Sequence, residues 1–276
     1  MTTANRTDDP DQLMNAWRRD GFVHVPSILP PDTVKRMRSA VDELAERKRR
    51  EVTEGPLSDQ GEASVRIKNV IAATDAFDEL VFHPRVMPVL ERFLGTDFRL
   101  LSSEAFTRHP SEDFLLGFHT DGGPLLQRVI PGPQSNAIQA KVQFFLTHAD
   151  QPGQGRLIMV CGSHQQVPKE ALPNCYVAEA NDQVAEGRLP DSAVEIPARA
   201  GDITVHTHST WHAVGPNLQG GIRRSVILRY GQSWCVPHDH VTLGPEVLDR
   251  FPRERQRMLG YLGDSADPAA SYKPAL

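Results

Sequence analysis

The sequence predicts a mainly β protein with flanking α-helices, built on a jelly-roll core, that is, a double-stranded β-helix. From Phe98 to Trp234 the chain runs as short β-like stretches separated by Gly and Pro turns, the pattern of a sandwich or barrel, and a double sheet of eight strands fits that span. Ahead of it lie two stretches whose apolar residues recur at helical spacing. The length of 276 residues exceeds the usual domain, yet β barrels and sandwiches of this size are often one unit. The expected organisation is a single domain over 1–276, with a helical part over about 11–95, the core over about 96–234 and an extension over 235–276.

Taken in order, the residues up to Pro10 are polar, and Gln12 to Arg19 reads as a short helix burying Leu13 and Trp17. Gly21 to Pro26 alternates as a strand and ends in prolines. Pro31 and Asp32 suit a first helical turn, Val34, Met37, Val41 and Leu44 form its apolar stripe, and the basic run Glu46 to Arg50 suits its C-terminus. Glu54 to Glu62 reads as a loop and Val65 to Val70 as a strand. Pro84 to Leu94 is a second helix with Val86, Val89, Leu90 and Phe93 on one face and Gly95 as its stop. Within the β region, Gln139 to Leu146 is a strand with Lys141, Gln143 and Phe145 on one face. Leu157 to Val160, Val194 to Ile196, Ile203 to His206 and Ser225 to Tyr230 are further strands. Pro168 to Leu189 is expected to be an irregular loop over one mouth of the barrel, and Arg253 to Leu259 a short helix.

Formal net charge is −5 with acids and bases interspersed, so there is no basic stripe for nucleic acid. The three cysteines, Cys161, Cys175 and Cys235, are odd in number and widely spaced, which argues against a disulfide framework or structural zinc and fits a reducing compartment. No signal-peptide pattern or membrane-length apolar run occurs. The expectation is a soluble cytoplasmic protein acting on a small molecule, with no membrane or nucleic-acid partner and an oligomeric state left open between monomer and dimer.

The chemistry concentrates in two segments. In Phe118-His119-Thr120-Asp121-Gly122-Gly123 an imidazole and a carboxylate stand two residues apart, on one face of an extended strand. One more histidine would complete the 2-His-1-carboxylate face of a non-heme Fe(II) oxygenase. Roughly ninety residues on, Gly201 to His212 offers His206, His208 and His212, followed by Asn217 and Arg223. The residues alone leave the third ligand open among these histidines.

Together His119-x-Asp121, Gly155 to Gly162-Ser163-His164, Gly201-Asp202 and His212 with Asn217 and Arg223 resemble the phytanoyl-CoA dioxygenase (PhyH) family of Fe(II)- and 2-oxoglutarate-dependent oxygenases. Asp20 to Pro26 with the proline-initiated helix after it, and Phe93-Leu94-Gly95, resemble the same family, so the likeness spans roughly Asp20 to Tyr230. It implies a cupin-like core. It also implies that His119, Asp121 and His212 hold the iron, that Arg223 pairs with the distal carboxylate of 2-oxoglutarate, and that O2 is the oxidant. A guanidinium grips a carboxylate through two parallel bonds, which suits Arg223 to that role, and Arg224 should face the opposite way. Two departures stand out. Val214 occupies the place of a family serine that helps hold the cosubstrate, and Gln143 stands where some relatives have a tryptophan near it. Lys68 matches a family lysine. Retention of Asp121, which halogenating relatives replace by a small residue, implies hydroxylation or a related oxidation.

The reading is a non-heme Fe(II)/2-oxoglutarate-dependent dioxygenase that oxidises an unactivated C–H of a small metabolite, with succinate and CO2 as coproducts. The alternatives are a non-catalytic cupin-like binding protein and a cupin oxygenase without cosubstrate, the latter having no need of a basic group at Arg223. The loop Gly122 to Asn136, with Leu125, Leu126, Val129 and Ile130, together with Phe144 or Phe145, Tyr176, Trp211 and Trp234, is expected to supply apolar walls. His206 and His208 are expected to be dispensable.

Overall fold

The computed structural model describes residues 9–261 apart from 53–63, 124–125, 133, 171–174, 220 and 241; the loop expected at Glu54 to Glu62 and the wall residue Leu125 therefore lie outside the described residues. The chain opens with α1 (Pro10–Asp20), β1 (Phe22–Val25), α2 (Pro31–Val52) and β2 (Ser64–Lys68). Short helices α3 (Val70–Ala73) and α4 (Asp78–Val81) lead to α5 (Met87–Leu94). Eight strands follow: β3 (Phe98–Arg108), β4 (Leu115–His119), β5 (Gln139–Phe145), β6 (Leu157–Val160), β7 (Ala193–Ile196), β8 (Ile203–Thr207), β9 (His212–Val214) and β10 (Arg223–Gln232). Between β6 and β7 the expected loop contains a helix, α6 (Ala178–Ala185), and the chain ends in α7 (Pro245–Leu248) and α8 (Arg253–Gln256).

Two antiparallel sheets face each other, ordered β1-β8-β5-β10-β3-β2 and β4-β9-β6-β7. The eight strands β3 to β10 match the expected jelly roll. The two strands expected in the N-terminal part, β1 and β2, extend the larger sheet on either side and form its two edges.

Alternation along the strands decides which face holds chemistry. On β5 the side chains of Ala140, Val142 and Phe144 join the main apolar cluster, together with Val226, Leu228 and Tyr230 of β10 and Ile203 and Val205 of β8. That outer face is covered by α2 through Val34, Met37, Val41 and Leu44 and by the helices near α5. Burying each such side chain contributes about 1.5–3 kcal/mol. Trp17 of α1 stacks on Phe93 of α5 with ring centroids 3.8 Å apart, and Tyr230 Oη donates to Val81 O at 2.7 Å. Strand period two then sends Lys141, Gln143, Arg223, Ser225 and Arg229 to the inner face.

Asp202, flagged by its Gly-Asp context, is a structural pin. Its carboxylate accepts from the Ser27 and Arg199 amides, each at 2.9 Å, and from His24 Nε2 at 3.0 Å, tying the exit of β1 to the entry of β8. Burial raises its pKa, but the bonds from His24 and the two amides win, and the net direction is below 3.8. Its stabilisation is therefore complete above that ordinary value and is lost as pH falls below it. Asp202→Ala is expected to lower unfolding free energy by about 3 kcal/mol in urea titrations at pH 7, with Ni(II) affinity unchanged.

Candidate active site

Strands β4 and β9 pair so that His119 lies directly opposite His212. Between Leu115 and His119 the register slips, and Leu116 and Gly117 both take left-handed backbone with φ 65°. A bulge of this kind re-aims the side chain that follows it. Gly117 is required there, since a Cβ would sit 2.5 Å from Asn181 Oδ1. Asn181 of α6 accepts from Phe118 N and donates to Phe118 O, each at 2.8 Å, so the unexpected helix holds the ligand-bearing strand in place. Two residues after His119, Asp121 N donates to His208 O at 2.7 Å.

The donor atoms of His119, Asp121 and His212 all lie within 4.8 Å of one another. His119 Nδ1–H donates to Gly117 O at 3.0 Å and His212 Nδ1–H to Thr210 O at 2.9 Å. These bonds fix the tautomer and leave both Nε2 lone pairs free for a metal. Burial lowers the pKa of both rings, that of His212 well below 6.5, so both are neutral ligands at physiological pH. Asp121 Oδ2 is buried without a hydrogen-bond partner. Two neutral imidazoles and one carboxylate oxygen on a shared face fit ferrous iron and leave three positions open.

The other oxygen of Asp121 is fully engaged, accepting from Lys141 Nζ at 2.6 Å and from an Arg229 terminal nitrogen at 3.0 Å. Burial pushes the Asp121 pKa up, yet the charges of Lys141 and Arg229 together outweigh it and hold the group well below 3.8. His206, expected to be peripheral, is instead inside the site. Its ring centroid is 4.6 Å from that of His212, its Nε2 is 3.5 Å from Asp121 Oδ2, and neither ring nitrogen has a partner. Burial drives it to a pKa of about 4. His208 is elsewhere, with Nε2 donating to Val129 O at 3.1 Å.

A cavity of about 250 Å³ opens on these groups and reaches Arg223. The Arg223 side chain is buried, and its Nε and one terminal nitrogen have no partner. Burial, then the neighbouring charge of Arg108, lowers its pKa to about 10, so it remains a cation at pH 7 with no carboxylate beside it among the described residues. Gly155, at φ 66°, gives it room: a Cβ there would stand 3.1 Å from Arg223 Cδ. Ser225 Oγ and Gln143 Nε2 are also buried without partners and line the same cavity. Arg224 points to the outer face, where its Nε donates to Asp42 Oδ1 of α2 at 2.6 Å.

A sequence profile of the phytanoyl-CoA dioxygenase (PhyH) family matches residues 17–225. The chain belongs to the phytanoyl-CoA dioxygenase family. Curated relatives are the uncharacterized proteins Mb1539 of Mycobacterium bovis and Rv1501 of Mycobacterium tuberculosis, each 24% identical over 260 residues, covering 91% of this chain and 86% of theirs. Among solved structures, HygX of Streptomyces hygroscopicus with nickel, 2-oxoglutarate and hygromycin B superposes with TM-score 0.63 at 18% identity, covering 86% of this chain and 93% of that one. The non-heme alpha-ketoglutarate-dependent epimerase SnoN from nogalamycin biosynthesis superposes with TM-score 0.58 at 21% identity, covering 81% of each chain. These likenesses establish the fold. Family membership and the His-Asp-His site make this PhyH protein a non-heme Fe(II)/2-oxoglutarate-dependent enzyme.

Several expected positions of this PhyH chain fall elsewhere. Lys68 is exposed at the end of β2 and does not line the cavity; Arg66, two residues earlier on the same face, does, paired with Glu104. Asn217 is buried and donates to Gly221 O at 2.7 Å, pinning a loop. Of the expected walls, Leu126, Val129 and Ile130 do not line the cavity, Phe144 and Trp211 pack in apolar clusters, and Trp234 is exposed. Leu115, Leu116, Phe106, Leu157, Val214 and Ile227 form the apolar walls instead. No helix of the described residues is long and apolar enough to cross a membrane.

Proposed function

We propose that this enzyme oxidises an unactivated C–H bond of a small organic metabolite, most simply by hydroxylation, converting 2-oxoglutarate and O2 to succinate and CO2. The observation that carries the cosubstrate assignment is Arg223, a buried cation with free donors facing the cavity that holds the iron ligands. Leaving such a charge unmatched is costly, and a distal carboxylate of 2-oxoglutarate matches it. Ser225, on the same strand and face two residues on, takes the part of the hydroxyl absent at Val214, and Gln143 Nε2 is a third donor for the same end.

His119, Asp121 and His212 would hold Fe(II), which, with 2-oxoglutarate chelated, supplies the oxidising chemistry. The protein's share is to hold the metal by one face, grip the far carboxylate and exclude water with the apolar walls. A metabolite of secondary metabolism suits the cavity: HygX has been solved with hygromycin B bound, and SnoN comes from nogalamycin biosynthesis. SnoN is an epimerase, so hydroxylation is argued from the retained Asp121 rather than from the fold.

In the test, Fe(II) protein is titrated anaerobically with 2-oxoglutarate. The metal-to-ligand charge-transfer band of a chelated keto acid is expected, followed by O2-dependent succinate formation that a true substrate accelerates. No band at any concentration would overturn the cosubstrate assignment.

A further inference from the structure

Lys141 and Arg229 are directly opposite each other on β5 and β10, both buried. Like charges facing across paired strands destabilise a sheet, so this pair needs an anion between its members, and Asp121 Oδ1 is that anion, 2.6 Å from one and 3.0 Å from the other. A carboxylate oxygen offers about two lone-pair sites, and here both are taken. Oδ2 of the same carboxylate is bare and faces the histidines, 3.7 Å from His212 Nε2. Arg229 is itself oriented by His238 Nδ1, to which its other terminal nitrogen donates at 2.9 Å.

We propose that Lys141 and Arg229 are positioning residues that occupy Asp121 Oδ1 and thereby restrict Asp121 to one-oxygen coordination, keeping three metal positions free. This rests on the reading of Asp121 as an iron ligand. Two histidines and one carboxylate oxygen leave three of six positions for cosubstrate and O2, whereas a two-oxygen aspartate would take one of them. The two cations also repel the metal, so the site gives up affinity for vacancy.

The test uses Zn(II)-loaded full-length protein with 13C-labelled aspartate, comparing wild type with Lys141→Met, Arg229→Met and the double variant. Infrared difference spectra read the separation of the two carboxylate stretches, wide for one-oxygen and narrow for two-oxygen ligation. Each single variant leaves one cation on Oδ1 and is expected to keep the wide separation. The double variant is expected to collapse it, to bind Zn(II) about tenfold more tightly once repulsion is removed, and to bind 2-oxoglutarate at least about tenfold more weakly in the Fe(II) form. A wide separation in the double variant, or weaker Zn(II) binding in it, would overturn the proposal. Should the double variant not fold, Lys141→Leu/Arg229→Leu takes its place: a narrow separation supports the role and a wide one sinks it. Asp121→Ala is the separate control, because undiminished Zn(II) binding there would instead remove Asp121 from the ligand set.

Discussion

His119→Ala, Asp121→Ala and His212→Ala are each expected to abolish 2-oxoglutarate turnover and to weaken Fe(II) or Ni(II) binding beyond measurement by calorimetric titration. Each removes one of three donors that lie within 4.8 Å of each other, and two remaining protein ligands do not retain a labile divalent ion against water. The variants should differ in stability. Loss of either histidine removes a neutral ring at the cavity wall and is expected to leave the melting temperature of the metal-free protein nearly unchanged. Asp121→Ala leaves Lys141 and Arg229 buried and facing each other without their anion, which costs on the order of 3–5 kcal/mol, so a clear fall in melting temperature is expected for it alone. Equal stability of all three would remove the ion cluster from the account, and retained metal binding in His212→Ala would transfer ligand status to His206.

Arg223→Ala is expected to weaken 2-oxoglutarate binding by about a hundredfold or more, from a loss of about 3–5 kcal/mol on breaking a buried bidentate pair at about 1.4 kcal/mol per tenfold. Metal binding should survive, and the metal-free protein should be no less stable, since the guanidinium has unpartnered donors in a buried setting. Ser225→Ala removes one hydroxyl donor to a charged group, about 1.5–3 kcal/mol, and should cost roughly tenfold or somewhat more. The measurement is the anaerobic charge-transfer titration of each variant. A large loss in Arg224→Ala with none in Arg223→Ala would contradict the strand geometry, because Arg224 is committed to Asp42 on the other face.

Local rules made much of this legible in the amino-acid order. The helix over Pro31 to Val52 followed from an apolar stripe at helical spacing, with Met37 and Val41 fully buried as that stripe requires. The jelly roll followed from strand-length runs between turns, and the opposite facing of Arg223 and Arg224 from strand period two. His119-x-Asp121 was legible because an imidazole and a carboxylate two residues apart share a strand face, whereas His212 and Arg223 were picked out only through the likeness to the family. The helix α6 was missed because its Ala-Glu-Ala-Asn-Asp-Gln run has a weak apolar face, and its existence depends on Asn181 bonding to the backbone of β4.

Which groups from distant strands share one space followed from the folded arrangement alone. Lys141 was visible as an inward residue of its strand, but that it faces Arg229 across β5 and β10 and meets Asp121 depends on sheet register. His206 could not be told from a satisfied strand histidine until the smaller sheet closed over it and left both ring nitrogens bare against the metal face. Ser225 sat two residues from Arg223 in plain view, yet its role emerged from a missing partner rather than from a motif. Most elements and the first two ligand positions could be read from the chain order, since they rest on periodicity and on residue types held close along the chain, and the family followed from its likeness in motifs. The environment of the carboxylate, the shape of the walls and the place of Lys68 outside the cavity waited on the fold, because burial, charge pairing and unsatisfied donors are properties of neighbours in space.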